Sequence, residues 1–452
     1  MSFNYSDLFE KQKKYFNSCC TLNVSRRIKL LKLFKKNIIK HYDEILKAFK
    51  ADLNKPEGEV YFCEYLLVLN EINTIVKKLK GWTKPKRVCR NLLTIFSSSL
   101  IYHKPYGNVL IIAPWNYPFN LSLVPLVDAI AAGNTAMVFL NSFTKEVNEI
   151  IKTIVSETFL PELVVCFNNS DVPYDELLKP NFDYVFFTGS ENVGKIVATK
   201  CGEKLIPYTL ELGGKCPVLV LEDADVEIAA KRIVRGKLFN SGQTCVAPDY
   251  VYVHKNVYDD FVVALKKYIE LYQNDTTELT KFVSPKHFER IRSLLQNQEI
   301  ILEGEVDEKN LVASLTVIRT EENSPVMQEE IFGPILPLIV YEDLGEKLNI
   351  LRTAKSPLAL YVFSSSKQRY NSILRMLKCG TSCWNDTVLQ ISNNNLPFGG
   401  VGSSGMGHYH GKFGFETFSH LCSVLKSHRD IKLMYPPFNS KKVKLFKKLL
   451  KN

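Results

Sequence analysis

The chain has 452 residues, of which 46% are hydrophobic and 23% charged, and its net charge at pH 7 is +11. That length carries two or three domains around a large core, in an ordinary globular composition. The positive charge lies mostly on lysines scattered over helices, with no arginine-rich groove motif and no zinc-finger spacing, which argues against a nucleic-acid partner.

In chain order, Ser25 reads as a helix N-cap, and Ile28, Leu31, Phe34, Ile38, Tyr42, Ile45 and Phe49 then recur at helical spacing. The lysines between them form a solvated face. Pro56 follows, and a second helical stretch rich in Leu, Val and Ile spans about Glu57 to Leu79. From Val109 the pattern becomes strand, loop, helix, strand, with short apolar runs at Val109-Leu110-Ile111-Ile112, Ala136 to Leu140 and Tyr184-Val185-Phe186-Phe187. Such runs between helices imply parallel strands covered on both faces. Pro217 to Leu221 opens a second series, followed by an acidic cap (Glu222, Asp223, Asp225) and a helix to about Phe239. The predicted fold class is therefore α/β with two such units.

No secretory signal opens the chain, and no run of about 18 apolar residues occurs, so a cytoplasmic protein is expected. The 11 cysteines are odd in number and form no framework. Neither Cys19-Cys20 nor Cys379 with Cys383 has a second pair to complete a metal site, so a reduced compartment and no metal are expected.

Cys245 lies in Asn240-Ser241-Gly242-Gln243-Thr244-Cys245, on a polar turn rather than an apolar stripe. Glu211 precedes Gly213-Gly214, where the backbone turns sharply. A thiol nucleophile with a carboxylate base is a catalytic pairing, although a single cysteine is more often a small buried hydrophobe. Gly189-Ser190-Glu191-Asn192-Val193-Gly194 sits at a strand–turn–helix junction whose N–H groups could face a pyrophosphate, but it lacks the GxGxxG spacing.

Six separated runs stand in order along the chain. They are Pro114-Trp115-Asn116-Tyr117-Pro118, Phe187-Thr188-Gly189-Ser190, Glu211-Leu212-Gly213-Gly214-Lys215, Gly242-Gln243-Thr244-Cys245, Gln328-Glu329-Glu330-Ile331-Phe332-Gly333-Pro334 and Leu396-Pro397-Phe398-Gly399-Gly400. Together they resemble the aldehyde dehydrogenase superfamily from about residue 1 to Pro437. The class 3 branch, acting on fatty or aromatic aldehydes, is most similar, through Val246-Ala247-Pro248-Asp249-Tyr250 and Phe415-Glu416-Thr417-Phe418-Ser419-His420.

The resemblance implies two doubly wound α/β domains and a small β bridging element used for oligomerisation. Residues 1–91 and 106–210 would form the cofactor-binding domain, 211–386 the catalytic domain, 92–105 and 387–435 the bridge and C-terminal segment, and 436–452 a basic tail. It implies Cys245 as nucleophile, Asn116 as oxyanion donor and Glu211 as base for water. NAD or NADP would be held by Trp115, Gly189, Ser190, Gly194, Glu330 and Phe332. The reaction implied is oxidation of an aldehyde to a carboxylic acid through a cysteine thiohemiacetal and thioester. The alternatives are a thiol esterase or a non-catalytic protein that keeps the fold.

One departure stands out. The family's Lys-Pro-Ser-Glu run, whose Lys and Glu hold the adenosine ribose, is here Phe139-Leu140-Asn141-Ser142. The expected partners are a small aldehyde and a second copy in a homodimer. The tail offers only a weak membrane-surface contact, with Val443, Phe446, Leu449 and Leu450 on one face among lysines.

Overall fold

The computed structural model describes residues 4–273, 278–429 and 435–449. Leu450 of the tail's apolar face lies outside them. The described residues form two mainly parallel sheets with helices on their faces, one small three-stranded antiparallel sheet, and a two-stranded antiparallel ribbon of Val306–Asp307 with Val312–Ala313.

The first large sheet runs Gly405–Met406, Tyr208–Leu212, Tyr184–Gly189, Asn108–Ile112, Thr135–Phe139, Val164–Phe167, all parallel except the first. Val109 and Ile111 enter one apolar core while Leu110 and Ile112 enter another, so both faces are buried. This is why these strands read as continuous apolar runs rather than alternating ones. Asn108–Ile112 has Thr135–Phe139 on one side and Tyr184–Gly189 on the other. Chain order reverses there, and the ends of those strands form the crevice where doubly wound folds bind ligands.

The second large sheet runs Glu299–Leu302, Thr316–Arg319, Ile335–Tyr341, Tyr250–His254, Pro217–Val220, Ala359–Phe363, Thr381–Trp384, with only the first strand antiparallel. Its strand Pro217–Val220 is also buried on both sides, Val218 and Val220 in one cluster and Leu219 in another. The small sheet joins Lys86–Arg87, Ser97–Pro105 and Ser419–Ser427. Ser419–Ser427 pairs with Ser97–Pro105 along its whole length and leaves its other edge open among the described residues.

The helical expectations shift in detail. The N-cap near residue 25 is Asn23, not Ser25: the Asn23 side chain accepts from the Arg26 N–H and starts the helix Val24–Lys40. The long periodic stretch is two helices, Val24–Lys40 and Tyr42–Leu53, broken at His41. The next stretch contains a π-helical turn, Tyr61–Tyr65, between Glu57–Val60 and Leu66–Trp82. Periodicity survives such a one-residue insertion well enough to hide it. No helix among the described residues is long and apolar enough to cross a membrane.

Candidate active site

The turn that leads to Cys245 is built from left-handed backbone. Asn240, Ser241 and Gly242 take φ of 54°, 51° and 75° in succession. Asparagine and glycine tolerate this region best. At Gly242 the requirement is absolute, because a Cβ would meet the Gly333 carbonyl oxygen at 2.3 Å. The turn is therefore pressed backbone to backbone against the segment that carries Glu330 and Phe332. It is polar in composition but buried; several of its polar groups are hydrogen-bonded, while Asn240 Oδ1 and Gln243 Oε1 have no partner. Ser241 donates to the Thr280 carbonyl at 2.7 Å, and the Gln243 side chain donates to the Asn240 carbonyl at 3.0 Å.

Beyond this turn Cys245 opens into a cavity of about 260 Å³. Glu211, Asn116, Trp115, Gly189, Ser190, Glu330 and Phe332 line the same cavity. Gly194 does not: a Cβ there would meet Leu212 Cδ2 at 2.7 Å, so the glycine lets the helix Glu191–Glu203 close on the strand Tyr208–Leu212. Gly213 has the opposite use. A Cβ on it would fall 2.0 Å from Glu330 Oε2, so its bare backbone admits that carboxylate beside the site.

Asn116 is 4% exposed, and its side-chain amide donates to the Gln243 carbonyl at 3.0 Å. A primary amide carries two N–H bonds, so one remains for a ligand. Glu211 is 3% exposed, and neither carboxyl oxygen has a hydrogen-bond partner. Burial holds its pKa well above the usual carboxylate value. A buried, unpartnered carboxyl facing a cavity is costly to the fold and suits a functional group better than a structural one. Glu330 is pushed up to about 8, by burial first and then by Asp249. Burial also raises the Cys245 thiol to about 12, helped by Glu330 and Glu211, while the N–H groups of Cys245 and Val246 oppose the rise.

The thiol is thus held protonated at neutral pH. Below its pKa the thiolate fraction grows in proportion to hydroxide. Alkylation of Cys245 by iodoacetamide is expected to climb about tenfold per pH unit from about pH 6 to about pH 9. Labelling rates followed by peptide mapping check this; a plateau near pH 8 would mean that burial does not control the thiol.

Sequence motifs did not point to His287, Arg290, Leu121 or Tyr409, which also line the cavity. His287 and Arg290 lie three apart on the helix Pro285–Leu294, a spacing that puts both on one face. His287 and Phe332 stand edge-on to Trp115, with centroids at 5.1 and 5.6 Å. Arg290 donates to Glu329 Oε1 at 2.7 Å and to the Glu330 and Ile331 carbonyls, which pins the strand of chain bearing Glu330. Lys215 works from the other side, bonding Asp249 and the Val326 and Glu329 carbonyls.

Phe139 does not reach the cavity. It is fully buried and packs edge-on against Phe167 and Tyr174, at 5.5 and 4.9 Å. Ser142 is exposed. The end of the strand Thr135–Phe139 therefore presents neither an ammonium nor a carboxylate. At the neighbouring helix start Glu191 forms ion pairs with Lys195 at 2.8 Å and Lys355 at 2.7 Å. Among the described residues no cluster of His, Cys, Asp and Glu could hold a metal.

The model of the aldehyde dehydrogenase family matches residues 4–424. The chain is 42% identical to the 4,4'-diaponeurosporen-aldehyde dehydrogenase of Staphylococcus aureus, over 98% of each chain. It is 36% identical to the dimeric NADP-preferring aldehyde dehydrogenase of Rattus norvegicus, over 96% of this chain and 98% of the relative. Its fold superposes on the substrate-bound state of Staphylococcus aureus AldH with a TM-score of 0.96, at 40% identity and 99% coverage of both chains. With this cavity at its centre, the chain belongs to the aldehyde dehydrogenase family and is an oxidoreductase that acts on aldehydes.

Proposed function

We propose that the protein oxidises medium- or long-chain aliphatic or aromatic aldehydes to carboxylic acids with NAD or NADP, through covalent intermediates on Cys245. The observation that carries this reading is the convergence of a thiol, an unpartnered buried carboxyl and an amide donor on one cavity, with Glu330 and Phe332 alongside. Leu121, Leu358 and Phe398 add apolar wall suited to a hydrocarbon substrate.

In this reading the Cys245 thiol releases its proton to solvent water and its sulfur bonds to the aldehyde carbon, whose C=O π electrons move onto the oxygen. The free N–H of Asn116 and the N–H of Cys245 donate to the oxygen that becomes anionic; losing one such donor costs about 3 kcal/mol. NAD or NADP, when bound, would supply the hydride acceptor that this oxidation requires. Glu211 takes a proton from water as its oxygen bonds to the thioester carbon, and Cys245 leaves as thiolate. The residues present fit the nicotinamide half of such a cofactor. Trp115 and Phe332 give aromatic walls, and the Gly213 backbone leaves room for the Glu330 carboxylate to accept from a ribose hydroxyl.

The adenosine side is different. Phe139 is spent on the core, so no lysine favours a phosphate there, and Ser142 supplies no carboxylate to repel one. These two losses oppose each other. The preference between NAD and NADP in kcat/KM is expected to stay within about tenfold. Initial rates over a panel of aldehydes with each cofactor test both the reaction and this ratio. No reduction of either cofactor with any aldehyde would sink the proposed function, and a preference above a hundredfold would sink the flat ratio alone.

A homodimer is proposed through the open edge of Ser419–Ser427, where Leu421 and Leu425 are 56% and 54% exposed. An unpaired edge of this length invites a second strand. Light scattering should give twice the 51.6 kDa of one chain; a monomer at micromolar concentration would contradict it.

A further inference from the structure

Behind the cavity lies a second charged cluster that the proposed chemistry does not use. The side chains of Lys55 and Glu64 are both fully buried and form an ion pair at 2.9 Å. Lys55 follows the left-handed Asn54 that ends the helix Tyr42–Leu53, and Glu64 lies within the π-helical turn Tyr61–Tyr65. The Lys55 ammonium also donates to the Asn116 carbonyl at 3.3 Å and sits 4.3 Å from the centre of the Tyr117 ring. The other oxygen of Glu64 accepts from the N–H of Asn120, which opens the helix Asn120–Ala132. The pair thus holds the segment 116–120 at both of its ends, the Asn116 carbonyl and the Asn120 N–H.

The same carbonyl of Asn116 accepts a second bond, from Asn240 Nδ2 at 2.9 Å, and that amide also donates to the Gln243 carbonyl at 3.0 Å. Glu59, one turn before Glu64, accepts from the Asn240 N–H and from Thr280 Oγ1. Residues 55–64 therefore tie the turn that carries Asn116 to the turn that leads to Cys245.

Stability is a poor reason for such a pair. A buried ion pair loses about as much in desolvation as it gains, and well-packed apolar residues of equal volume are often as stable or more so. What apolar residues cannot supply is a donor for the Asn116 carbonyl and an acceptor for the Asn120 N–H. We infer that Lys55 and Glu64 are a positioning pair for Asn116. By fixing its peptide plane they hold the free amide N–H where the aldehyde oxygen becomes anionic. The inference rests on the reading of Asn116 as oxyanion donor.

A double-mutant cycle tests it. Lys55→Met alone strands the Glu64 carboxylate, so the exchange is Lys55→Met with Glu64→Gln, which removes both charges at similar volume. With Asn116 intact, the rate of the first burst of reduced cofactor should fall about tenfold, with the aldehyde KM changed less than about twofold. In an Asn116→Ala background the same exchange should cost less than about twofold, because the group being positioned is gone. If that exchange does not fold, Lys55→Gln with Glu64→Gln, which leaves no buried charge and keeps polar groups at both positions, carries the cycle, with an expected loss of about threefold. Equal losses in the two backgrounds, or no loss with Asn116 present, would overturn the positioning role. An Asn116→Ala variant as fast as the parent chain would instead remove the oxyanion reading on which it rests.

Discussion

Replacing Cys245 by serine is expected to lower aldehyde oxidation and ester hydrolysis at least about a thousandfold. A hydroxyl is a far weaker nucleophile than a thiolate and needs a base hydrogen-bonded to it. None is in place here, since neither oxygen of Glu211 has a hydrogen-bond partner. The exchange removes almost no volume at a position only partly buried, so the fold should be unaffected. Steady-state assays of both activities, together with thermal unfolding, check the two halves. Turnover above about one per cent in a folded variant would assign the chemistry elsewhere, against the rate argument above.

Glu211→Gln should separate the two halves of the reaction. In the proposed reaction acylation does not need the carboxylate, so the first burst of reduced cofactor should keep its rate within about threefold. Hydrolysis of the thioester should then fall about a hundredfold, giving a burst followed by a slow steady state. Stopped-flow absorbance reads both phases; loss of the burst itself would place Glu211 earlier, on the thiol. The variant should also be no less stable. Glu211 binds its proton more tightly folded than unfolded, so the parent chain loses stability as pH rises above the ordinary carboxyl range and towards the raised value. The amide does not titrate, so that loss is absent in the variant.

Both exchanges act on residues that sequence alone singled out, and the reason is physical. Cys245 and Glu211 stand beside glycines whose use is local: Gly242 sits where a side chain cannot fit, and Gly213 makes room for Glu330. Backbone demands of that kind leave a readable trace. The strands were legible for a similar reason, since burial on both faces forces unbroken apolar runs. Tyr409, His287 and Arg290 were not legible, because they reach the cavity from segments far away in sequence and carry no motif. The π-helical turn Tyr61–Tyr65 was hidden as well. Its one extra residue shifts the apolar face slightly without breaking the period. Lys55 and Glu64 carry no motif either, and only their burial and partners set them apart from the chain's many other charges. Phe139 shows the converse. Its identity marked a departure from the family pattern, but only packing shows that it belongs to the core beside Phe167 and Tyr174 and not to the cavity.

Covalent catalysis at Cys245 is most directly tested by trapping the acyl group. The Glu211→Gln variant is mixed with excess aliphatic aldehyde and NAD, quenched in acid within the burst, digested and weighed by mass spectrometry. The expected result is a mass gain equal to the aldehyde less two hydrogens on the peptide that contains Cys245. Reduced cofactor formed in a burst without that adduct, or with the acyl group on another residue, would contradict it.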